Sequence, residues 1–490
     1  MASHAQGTFA GTSLAFNYPI IEVYFKMKRR DFFRNSSLSL LGTSLLSSRS
    51  EAWSEPLRKD KVARNVIFMV SDGMSVGTLT MADLLLRRRE GRASTWVGLY
   101  QDKRVRRALM DTASANALVT DSAAASSAWG GGRRVPNGSL NVNADGSANK
   151  PILQKFKAAG KAVGCVTSVP ITHATPAGFC INNRSRGDQA EIAEQYLGLK
   201  FDVMLGGGRE FFDKTKRKDG RDLLAEYEQA GYGVLLDRAA LLGLDALPAK
   251  PLLGVFADNA LPYALDAAQD AELQKGVPSL AEMTKAAINR LRKNKNGFVL
   301  QVEGGKVDWA AHANDTAGLL YDQLAFDEAV REVLSFAQAD QETLVIITTD
   351  HGNANPGLFS DRHFDRIQHF KHTNDWILNG IDAHTTPAQL IERVEAAQGY
   401  AIRKEESETL LSFYRQRDES GLYNPAKLPF KPLGVIQSAY TGVGWAGTDH
   451  SADYVELTML GPGSELLKPF VKNDELHDLM LLATAVASRL

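Results

Sequence analysis

Residues 65–74 read Asn-Val-Ile-Phe-Met-Val-Ser-Asp-Gly-Met, an apolar run that ends in a polar turn. An unbroken apolar run of this length is typical of a strand that is buried on both faces of a parallel sheet. Such sheets bind ligands just beyond the carboxyl ends of their strands. Because Asp72 follows the run at once, this stretch predicts both a parallel α/β sheet and an acidic group at its ligand-binding edge.

Further apolar runs have the same character, and helix-like segments separate them. The predicted strands are Val66–Val70, Ala162–Val166, Phe201–Leu205, Phe298–Val302 and Leu344–Thr348. The predicted helices include Ala123–Trp129, Leu280–Arg292 and Ala317–Phe336. Alternating strands and helices indicate an α/β fold, a three-layer sandwich in which helices cover both faces of a mostly parallel central sheet.

Several of the predicted strands end in polar residues. Val302 is followed by Glu303, and Ile347 leads into Asp350 and His351. The predicted strand that ends at Val166 leads into a segment that contains His173 and Thr175. A single acid after a strand is usually only the N-cap of the next helix. Strand ends that converge on one edge of a sheet, in contrast, favour a ligand site.

Two segments differ in character from the rest of the chain. Residues 209–280 are charged and helix-like, which predicts a peripheral helical insertion. Residues 355–445, here called the crown segment, combine a Lys/Glu-rich helical stretch with a Pro/Gly-rich stretch, and we expect a crown-like insertion over the site entrance. Solvated or capping roles are expected for its histidines, which share no ligand spacing: His363, His369, His372 and His384.

The first 52 residues are interpreted as an N-terminal extension, and residues 53–490 as the main domain. The segment Met27-Lys28-Arg29-Arg30-Asp31-Phe32-Phe33-Arg34 resembles a twin-arginine export signal. The mildly apolar Ser36–Leu46 follows it, and Ser50-Glu51-Ala52 offers a small-x-small cleavage site. We therefore expect a periplasmic or secreted protein; the alternative is a disordered basic N-terminus in which the paired arginines are accidental.

Composition excludes some classes of function. Lys plus Arg total 56 and Asp plus Glu total 57, so no charge excess points to a specific nucleic-acid partner. No stretch approaches the ~20 apolar residues of a membrane-spanning helix. Cys165 and Cys180 are too few for a disulfide scaffold or a thiolate zinc cluster, and either one disulfide or two buried thiols would fit them.

Residues 119–129, Val-Thr-Asp-Ser-Ala-Ala-Ala-Ser-Ser-Ala-Trp, contain a candidate nucleophile. The run of small residues favours a helix, whose first turn would contain Ser122. Backbone N–H groups and the helix dipole favour bound phosphate at that position. An Asp-Ser pair before an alanine run is more often a simple helix cap, and a serine hydroxyl needs an activator to be a nucleophile.

Metal-ligand residues could supply that activation. Asp308 and His312 are four residues apart in a predicted helix, so both project from one face and suit a single zinc ion. Glu303, before a Gly-Gly turn, could reach a different ion. Further candidates are Asp350, His351 and His450. Mixed oxygen and nitrogen ligands suit a zinc pair with a harder third ion such as magnesium.

Taken together and in this order, the motifs resemble those of the alkaline phosphatases. The shared segments are Asp72-Gly73-Met74, Thr120-Asp121-Ser122-Ala123-Ala124, His173-Ala174-Thr175-Pro176-Ala177, Glu303-Gly304 with Asp308 and His312, Thr349-Asp350-His351-Gly352 and Thr448-Asp449-His450. Each short motif is unspecific, but the set is specific and extends from about Asn65 to about Tyr454. The resemblance implies a metal-dependent phosphomonoester hydrolase that works through a phosphoserine at a site with two Zn²⁺ and one Mg²⁺.

The resemblance also implies roles for individual residues. Ser122 would be the nucleophile and Arg186 the phosphate-gripping arginine, with Arg184 as the second choice and Asp121 as an orienter of the arginine or a helix cap. The first zinc would be held by Asp308, His312 and His450, and the second by Asp72, Asp350 and His351 together with Ser122. Magnesium would be held by Asp72, Thr175 and Glu303, with His173 acting nearby, by inference through water.

Two positions depart from well-known members of the family. Trp309 stands where those members have Lys or His near bound phosphate, and an indole offers only one donor and no charge. We therefore expect weaker holding of product phosphate. His173 stands where members have either Asp or His, and the His form often accompanies weaker magnesium occupancy.

Two other functions compete with the phosphomonoesterase interpretation. A phosphodiesterase or nucleotide pyrophosphatase of the same superfamily would keep two metals but generally lack the magnesium ligands, so Thr175, Glu303 and Arg186 favour monoesters. A non-catalytic phosphate-binding protein would have lost the nucleophile or ligands, and none is lost here. Family members are often dimers, so a homodimer is a further expectation.

Overall fold

The computed structural model describes residues 62–101, 103, 105–244, 250–416 and 423–487. The expectations for the N-terminal extension and its export signal lie outside the described residues. Within the described residues, no helix combines the length and apolar character that crossing a membrane requires.

Strands and helices alternate along most of the described chain. The strands are β1 Asn65–Val70, β2 Arg106–Asp111, β3 Ala162–Pro170, β4 Val203–Gly207, β5 Gly233–Leu235, β6 Leu252–Val255, β7 Phe298–Glu303, β8 Thr343–Thr348, β9 Gly352–Asn353, β10 Gly357–Leu358, β11 Val443–Gly444, β12 His450–Ser451, β13 Val455–Leu460 and β14 Phe470–Lys472.

The α-helices are listed here in the same chain order. They are α1 Val76–Glu90, α2 Thr95–Gln101, α3 Ser122–Gly131, α4 Ile152–Ala158, α5 Ala174–Cys180, α6 Gln189–Leu199, α7 Leu223–Gln229, α8 Arg238–Leu242, α9 Ala264–Ala267, α10 Ala271–Gly276, α11 Leu280–Leu291, α12 Lys306–His312, α13 Thr316–Asp340, α14 Asn374–Asn379, α15 Pro387–Gln398, α16 Lys404–Gln416, α17 Phe430–Thr441 and α18 Glu475–Ala483.

Within the described ranges, ten strands form one sheet in the order β14-β2-β13-β8-β1-β7-β3-β4-β6-β5. All neighbouring strands pair in parallel except β13, which is antiparallel to both β8 and β2. The central strands β8, β1, β7 and β3 are neighbours, with Val70 paired to both Glu303 and Thr348. Their carboxyl ends therefore lie side by side at one edge.

Both faces of the sheet are covered. On one face Phe68 of β1 packs against Trp129 of α3 and Phe179 of α5, with ring centroids 4.9 and 5.1 Å apart. Ile67 and Met69, which point to the opposite face of the same strand, are also fully buried. The expected three-layer sandwich with a mostly parallel sheet is confirmed.

The five predicted strands and three predicted helices are present, with ends shifted by a few residues. The segment expected to form a peripheral helical insertion, residues 209–280, contains helices α7 to α10 but also strands β5 and β6, which extend the central sheet. Short β-branched and aliphatic runs such as Leu252–Val255 are too brief to be distinguished from helix by their periodicity.

The described residues of the crown segment form helices α14 to α17, the 3₁₀ helix Phe364–His369 and the short strands β10 and β11 near the two ends of the segment. His372 pairs with Asp266 at 3.0 Å and stacks on Trp376, while His369 and His384 are exposed. Cys165 and Cys180 are buried free thiols with their Sγ atoms 3.6 Å apart.

Candidate active site

The predicted polar strand ends converge at the carboxyl edge of the four central strands. Asp72 follows β1, Glu303 ends β7, Asp350 and His351 follow β8, and His173 lies just beyond β3. All five residues are buried. A cluster of charged and titratable groups that is shielded from water in this way is typical of a metal or catalytic site.

One group of potential metal ligands consists of Asp308, His312 and His450, with one ligand atom from each lying within 4.8 Å of the others. Asp308 and His312 belong to α12, and His450 is brought to them by the pairing of β12 with β9. An Asp308 carboxylate oxygen lies 3.4 Å from Nε2 of His312, and the other lies 3.6 Å from Nε2 of His450. Spacing predicted that Asp308 and His312 share one ion, and the resemblance to the alkaline phosphatases added His450 to them.

The two histidines of this group are oriented by backbone carbonyls. Nδ1 of His312 lies 2.6 Å from the Thr448 carbonyl, and Nδ1 of His450 lies 2.8 Å from the Thr120 carbonyl. Because carbonyls only accept, each Nδ1 donates, and Nε2 is the nitrogen of each ring that faces Asp308. The two Nε2 atoms are 3.1 Å apart, close enough for one cation to contact both.

A second group consists of Asp72, Asp308 and His351, again within 4.8 Å. The resemblance to the alkaline phosphatases assigned Asp350 to the same ion as Asp72 and His351. Its Oδ2 lies 3.1 Å from Nε2 of His351, so Asp350 also borders the group. The backbone at position 73 can lie this close to Asp308 only because the residue is glycine. A Cβ here would clash with the Asp308 carboxylate, and the φ of +65° also favours glycine.

A third group consists of Asp72, His173 and Glu303. The hydroxyl of Thr175 donates to Asp72 at 3.3 Å, and the hydroxyl of Thr167 donates to Glu303 at 2.5 Å. Burial, followed by the positive charge of Arg186, lowers the pKa of His173 to about 3, so its ring is neutral. The predicted magnesium residues therefore lie together, apart from the two histidines of the first group.

The chemistry of these side chains fits bound cations. Asp72, Glu303, Asp308 and Asp350 each have one buried carboxylate oxygen without a hydrogen-bond partner among the described residues. Burial, then the carboxylates of Asp350 and Asp308, raises the pKa of Asp72 well above its ordinary value. Burial likewise raises the pKa of Glu303 to about 7. Divalent ions bound to these oxygens would give them partners and would offset the cost of burying their negative charge.

Ser122 is the first residue of α3 and is almost fully buried beside this cluster. Its Oγ lies 3.3 Å from Nε2 of His351. Asp121 caps the helix, accepting from the backbone N–H of Ala124 at 2.9 Å. Its other carboxylate oxygen accepts from Nη1 of Arg186 at 3.1 Å. Asp121 therefore has both of the roles that the sequence left as alternatives.

Arg186, rather than Arg184, reaches the cluster. Besides Asp121, its guanidinium contacts Nε2 of His173 at 3.1 Å and the hydroxyl of Tyr423 at 3.2 Å, both through Nη2. Arg184 is exposed, and its guanidinium lies near Gly146. Arg186 therefore remains the predicted phosphate-binding arginine, and Arg184 lies away from the cluster.

Sequence reasoning missed two residues of the site. Asn353, which shortly follows Asp350 and His351, donates to a carboxylate oxygen of Asp308 at 2.7 Å and so holds this ligand in place. Tyr423 of the crown segment stacks on Trp309, with centroids 4.4 Å apart, and its hydroxyl lies 2.8 Å from Nε2 of His173. The position of Asn353, two residues after His351, was a sequence signal that could have identified it. No sequence signal pointed to Tyr423.

The chain has relatives among proteins of known sequence and structure. A family model described as alkaline phosphatase matches residues 63–486. Alkaline phosphatase 4 of Bacillus subtilis is 32% identical over 473 residues, covering 92% of this chain and 97% of that protein. The alkaline phosphatase of Escherichia coli is 32% identical over 359 residues, covering 64% and 76%. The crystal structure of Thermus thermophilus alkaline phosphatase has a TM-score of 0.81 at 32% identity and covers 91% of this chain and 96% of its own.

Proposed function

This chain belongs to the alkaline phosphatase family of metal-dependent phosphomonoester hydrolases, and we propose that it transfers the phosphoryl group first to Ser122 and then to water. The observation that carries this mechanism is the position of the Ser122 hydroxyl, 3.3 Å from His351 among the potential metal ligands. The same residue begins helix α3, next to the aspartate that holds Arg186.

The ligand groups support a site for two Zn²⁺ and one Mg²⁺. Zinc would be held by Asp308, His312 and His450 and by Asp72, Asp350 and His351, and magnesium by Asp72, Thr175 and Glu303 near His173. When bound, these ions supply Lewis-acid stabilisation of anionic oxygens and lower the pKa of a hydroxyl group.

The residues of the chain have separate tasks in the first half-reaction. Oγ of Ser122 loses its proton and forms a bond to phosphorus as the ester P–O bond breaks, and the leaving oxygen takes up a proton to depart as the alcohol. The guanidinium of Arg186 matches two nonbridging phosphoryl oxygens, and Asp121 fixes its plane. The first-turn amides and dipole of α3 favour the negative charge at this position.

In the second half-reaction a water molecule loses a proton as its oxygen bonds to phosphorus, and Oγ of Ser122 leaves and takes up a proton. Arg186 again holds the nonbridging oxygens while the P–Oγ bond breaks. Each displacement inverts the configuration at phosphorus, so the complete reaction proceeds with retention. This stereochemical result is expected of a covalent phosphoserine and not of direct attack by water on the substrate.

The test is hydrolysis of a chromogenic aryl monophosphate from pH 6 to 11 with Zn²⁺ and Mg²⁺ supplied. We expect alkaline activity that falls at least about 10³-fold in Ser122→Ala, with the metal content unchanged. Ser127→Ala, a buried serine of the same helix whose hydroxyl donates to the Ser139 carbonyl, is the matched control and should keep its activity. Trapping the phosphoenzyme on another residue, or finding turnover of aryl diesters alone, would refute the proposal.

A further inference from the structure

A cavity of about 490 Å³ is lined in part by Trp309, the residue of α12 that stacks on Tyr423. Its other walls come from the loop that precedes α9, from α14 of the crown segment and from α15. The volume lies within the range of small-molecule sites, roughly 300–1,000 Å³. Because Trp309 follows the predicted metal ligand Asp308 directly in α12, the cavity shares this residue with the candidate active site.

Lys306 contributes a buried ammonium group to this cavity. The residue is only 7% exposed, and its Nζ lies 3.4 Å from the centre of the Tyr263 ring and 5.1 Å from that of Trp309. Within the part of the chain that the structure describes, this Nζ has neither a hydrogen bond nor an ion pair. An ammonium group has three hydrogens to donate, so Lys306 can serve an acceptor that enters the cavity.

Two aspartates line the cavity together with Lys306, and neither forms an ion pair with it. Asp266 accepts from the backbone N–H of Thr373 at 3.1 Å and from the hydroxyl of the same residue at 2.5 Å. Its oxygens are therefore engaged at the beginning of α14. Asp375 is half-buried in α14 and has no ion-pair partner among the described residues. The cavity thus contains an unpaired ammonium and an unpaired carboxylate.

The charges of the lining favour a neutral ligand with hydroxyl groups. Two cationic side chains, Lys306 and Arg393, stand against two anionic ones, Asp266 and Asp375. A strongly charged ligand would be attracted by one pair and repelled by the other. A hydroxyl group, in contrast, both donates and accepts, so one or two hydroxyls can serve an ammonium and a carboxylate together.

Aromatic side chains supply the apolar part of the lining. Trp309 and Trp376 both line the cavity, and both are half-buried. The indole of Trp376 lies between the ring of His372, with centroids 4.0 Å apart, and the guanidinium of Arg393, 3.5 Å from its centre. Apolar walls with a few fixed polar groups are the usual composition of a small-molecule site.

We propose that this cavity binds the alcohol part of the substrate, and that this alcohol is a polyol or a sugar. Lys306 and Asp375 are the specificity-determining residues: Nζ of Lys306 donates to a hydroxyl oxygen, and the Asp375 carboxylate accepts from a hydroxyl group. The inference rests on the proposed function, since it takes the phosphoryl group of the same ester to lie at Ser122 and Arg186. The cavity contributes binding alone, and no bond is made or broken in it.

The test compares glucose 6-phosphate with a chromogenic aryl monophosphate on metal-loaded protein. The variants are Asp375→Ala and Lys306→Met, the second of which keeps an unbranched stem beside Tyr263. In each variant we expect the ratio of kcat/KM for glucose 6-phosphate to kcat/KM for the aryl ester to fall about tenfold, because a hydrogen bond to a charged group is lost for the sugar ester only. A merely structural role would lower both kcat/KM values by the same factor and leave the ratio unchanged.

The matched control is Asp361→Ala, which removes an exposed aspartate elsewhere in the crown segment and should not change the ratio. A second measurement avoids turnover by using calorimetry in a Ser122→Ala background. There Asp375→Ala should raise the Kd of glucose 6-phosphate about tenfold and leave the Kd of inorganic phosphate unchanged.

An unchanged selectivity ratio in both variants, at equal zinc and magnesium content, would overturn the inference. Equal weakening of glucose 6-phosphate and inorganic phosphate in the calorimetric measurement would also overturn it. The proposed function fails by a different result, namely that the unmodified protein hydrolyses no monoester.

Discussion

Trp309 lies beside the cluster of predicted metal ligands and contacts two aromatic rings there. Its indole stacks on Tyr423 and meets the ring of His173 edge-on, with centroids 6.2 Å apart. Its Nε1 is buried without a hydrogen-bond partner among the described residues. The side chain therefore brings no positive charge to the phosphate side of the cluster and instead fixes the ring of Tyr423.

We expect Trp309→Lys to bind product phosphate more tightly, because an ammonium group at this position would add a charge-assisted contact. The inhibition constant for inorganic phosphate in an aryl phosphate assay should fall about three- to tenfold. Trp309→Phe keeps an aromatic ring for Tyr423 without adding charge and is the control. Equal inhibition of the Lys variant and the unmodified protein would contradict the expectation.

At the scale of elements, α13 contains a buried carboxylate that the site does not need. Asp322 accepts from the backbone N–H of Ala264, the first residue of α9, at 3.0 Å. Burial raises its pKa to about 7, although the nearby Lys306 opposes this shift. The folded protein therefore holds a proton on Asp322 at pH values where the unfolded chain has already released it.

The sign of the pH effect follows from proton binding. Because the folded pKa is above the unfolded value, the stability contribution is highest below about pH 4 and is lost as pH rises towards about 7. Asp322→Asn keeps an acceptor for Ala264 but cannot titrate. Between pH 5 and pH 8, we expect the unfolding free energy of the variant to fall by about 2–4 kcal/mol less than that of the unmodified protein. Denaturant unfolding at pH 5 and pH 8 measures these free energies. An equal decrease in the variant and in the unmodified protein would contradict the expectation.

At the scale of the whole molecule, the carboxylate cluster joins parts of the chain that are far apart in sequence. Asp72, Glu303 and Asp350 follow or end three neighbouring strands, and Asp308 comes from α12. Negative groups held this close, with buried oxygens left without hydrogen bonds, destabilise the fold unless cations neutralise them. Bound metal ions should therefore stabilise the fold in addition to taking part in catalysis.

Removal of the metal ions should lower the thermal stability of the entire described domain. We expect a chelator to reduce Tm by about 5 °C or more, since ligands that bind only the folded state add a stability of several kcal/mol. Calorimetric scans before chelation, after it, and after zinc and magnesium are restored provide the measurement and its control. An unchanged Tm in protein shown to have lost its metals would contradict this expectation.

Much of the site could be predicted because its ligands follow buried strands or lie at helical spacing. Runs such as Val66–Val70 can only be buried on both faces, so their ends must lie at one edge of the sheet. Asp308 and His312 share a helical face by their spacing alone. Strands β5 and β6 were missed because short apolar runs at the edge of a sheet have no period that distinguishes them from helix.

The sequence by itself determined the parallel sheet, the polar edge and the types of ligand, because burial and spacing are local properties of the chain. Only the tertiary structure decided which arginine reaches the site, since Arg184 and Arg186 differ in burial and not in type. It also decided that Tyr423 contacts Arg186 and that Asn353 holds Asp308. These contacts join residues 237 and 45 positions apart, and no local pattern specifies which distant side chains the packing of a fold brings together.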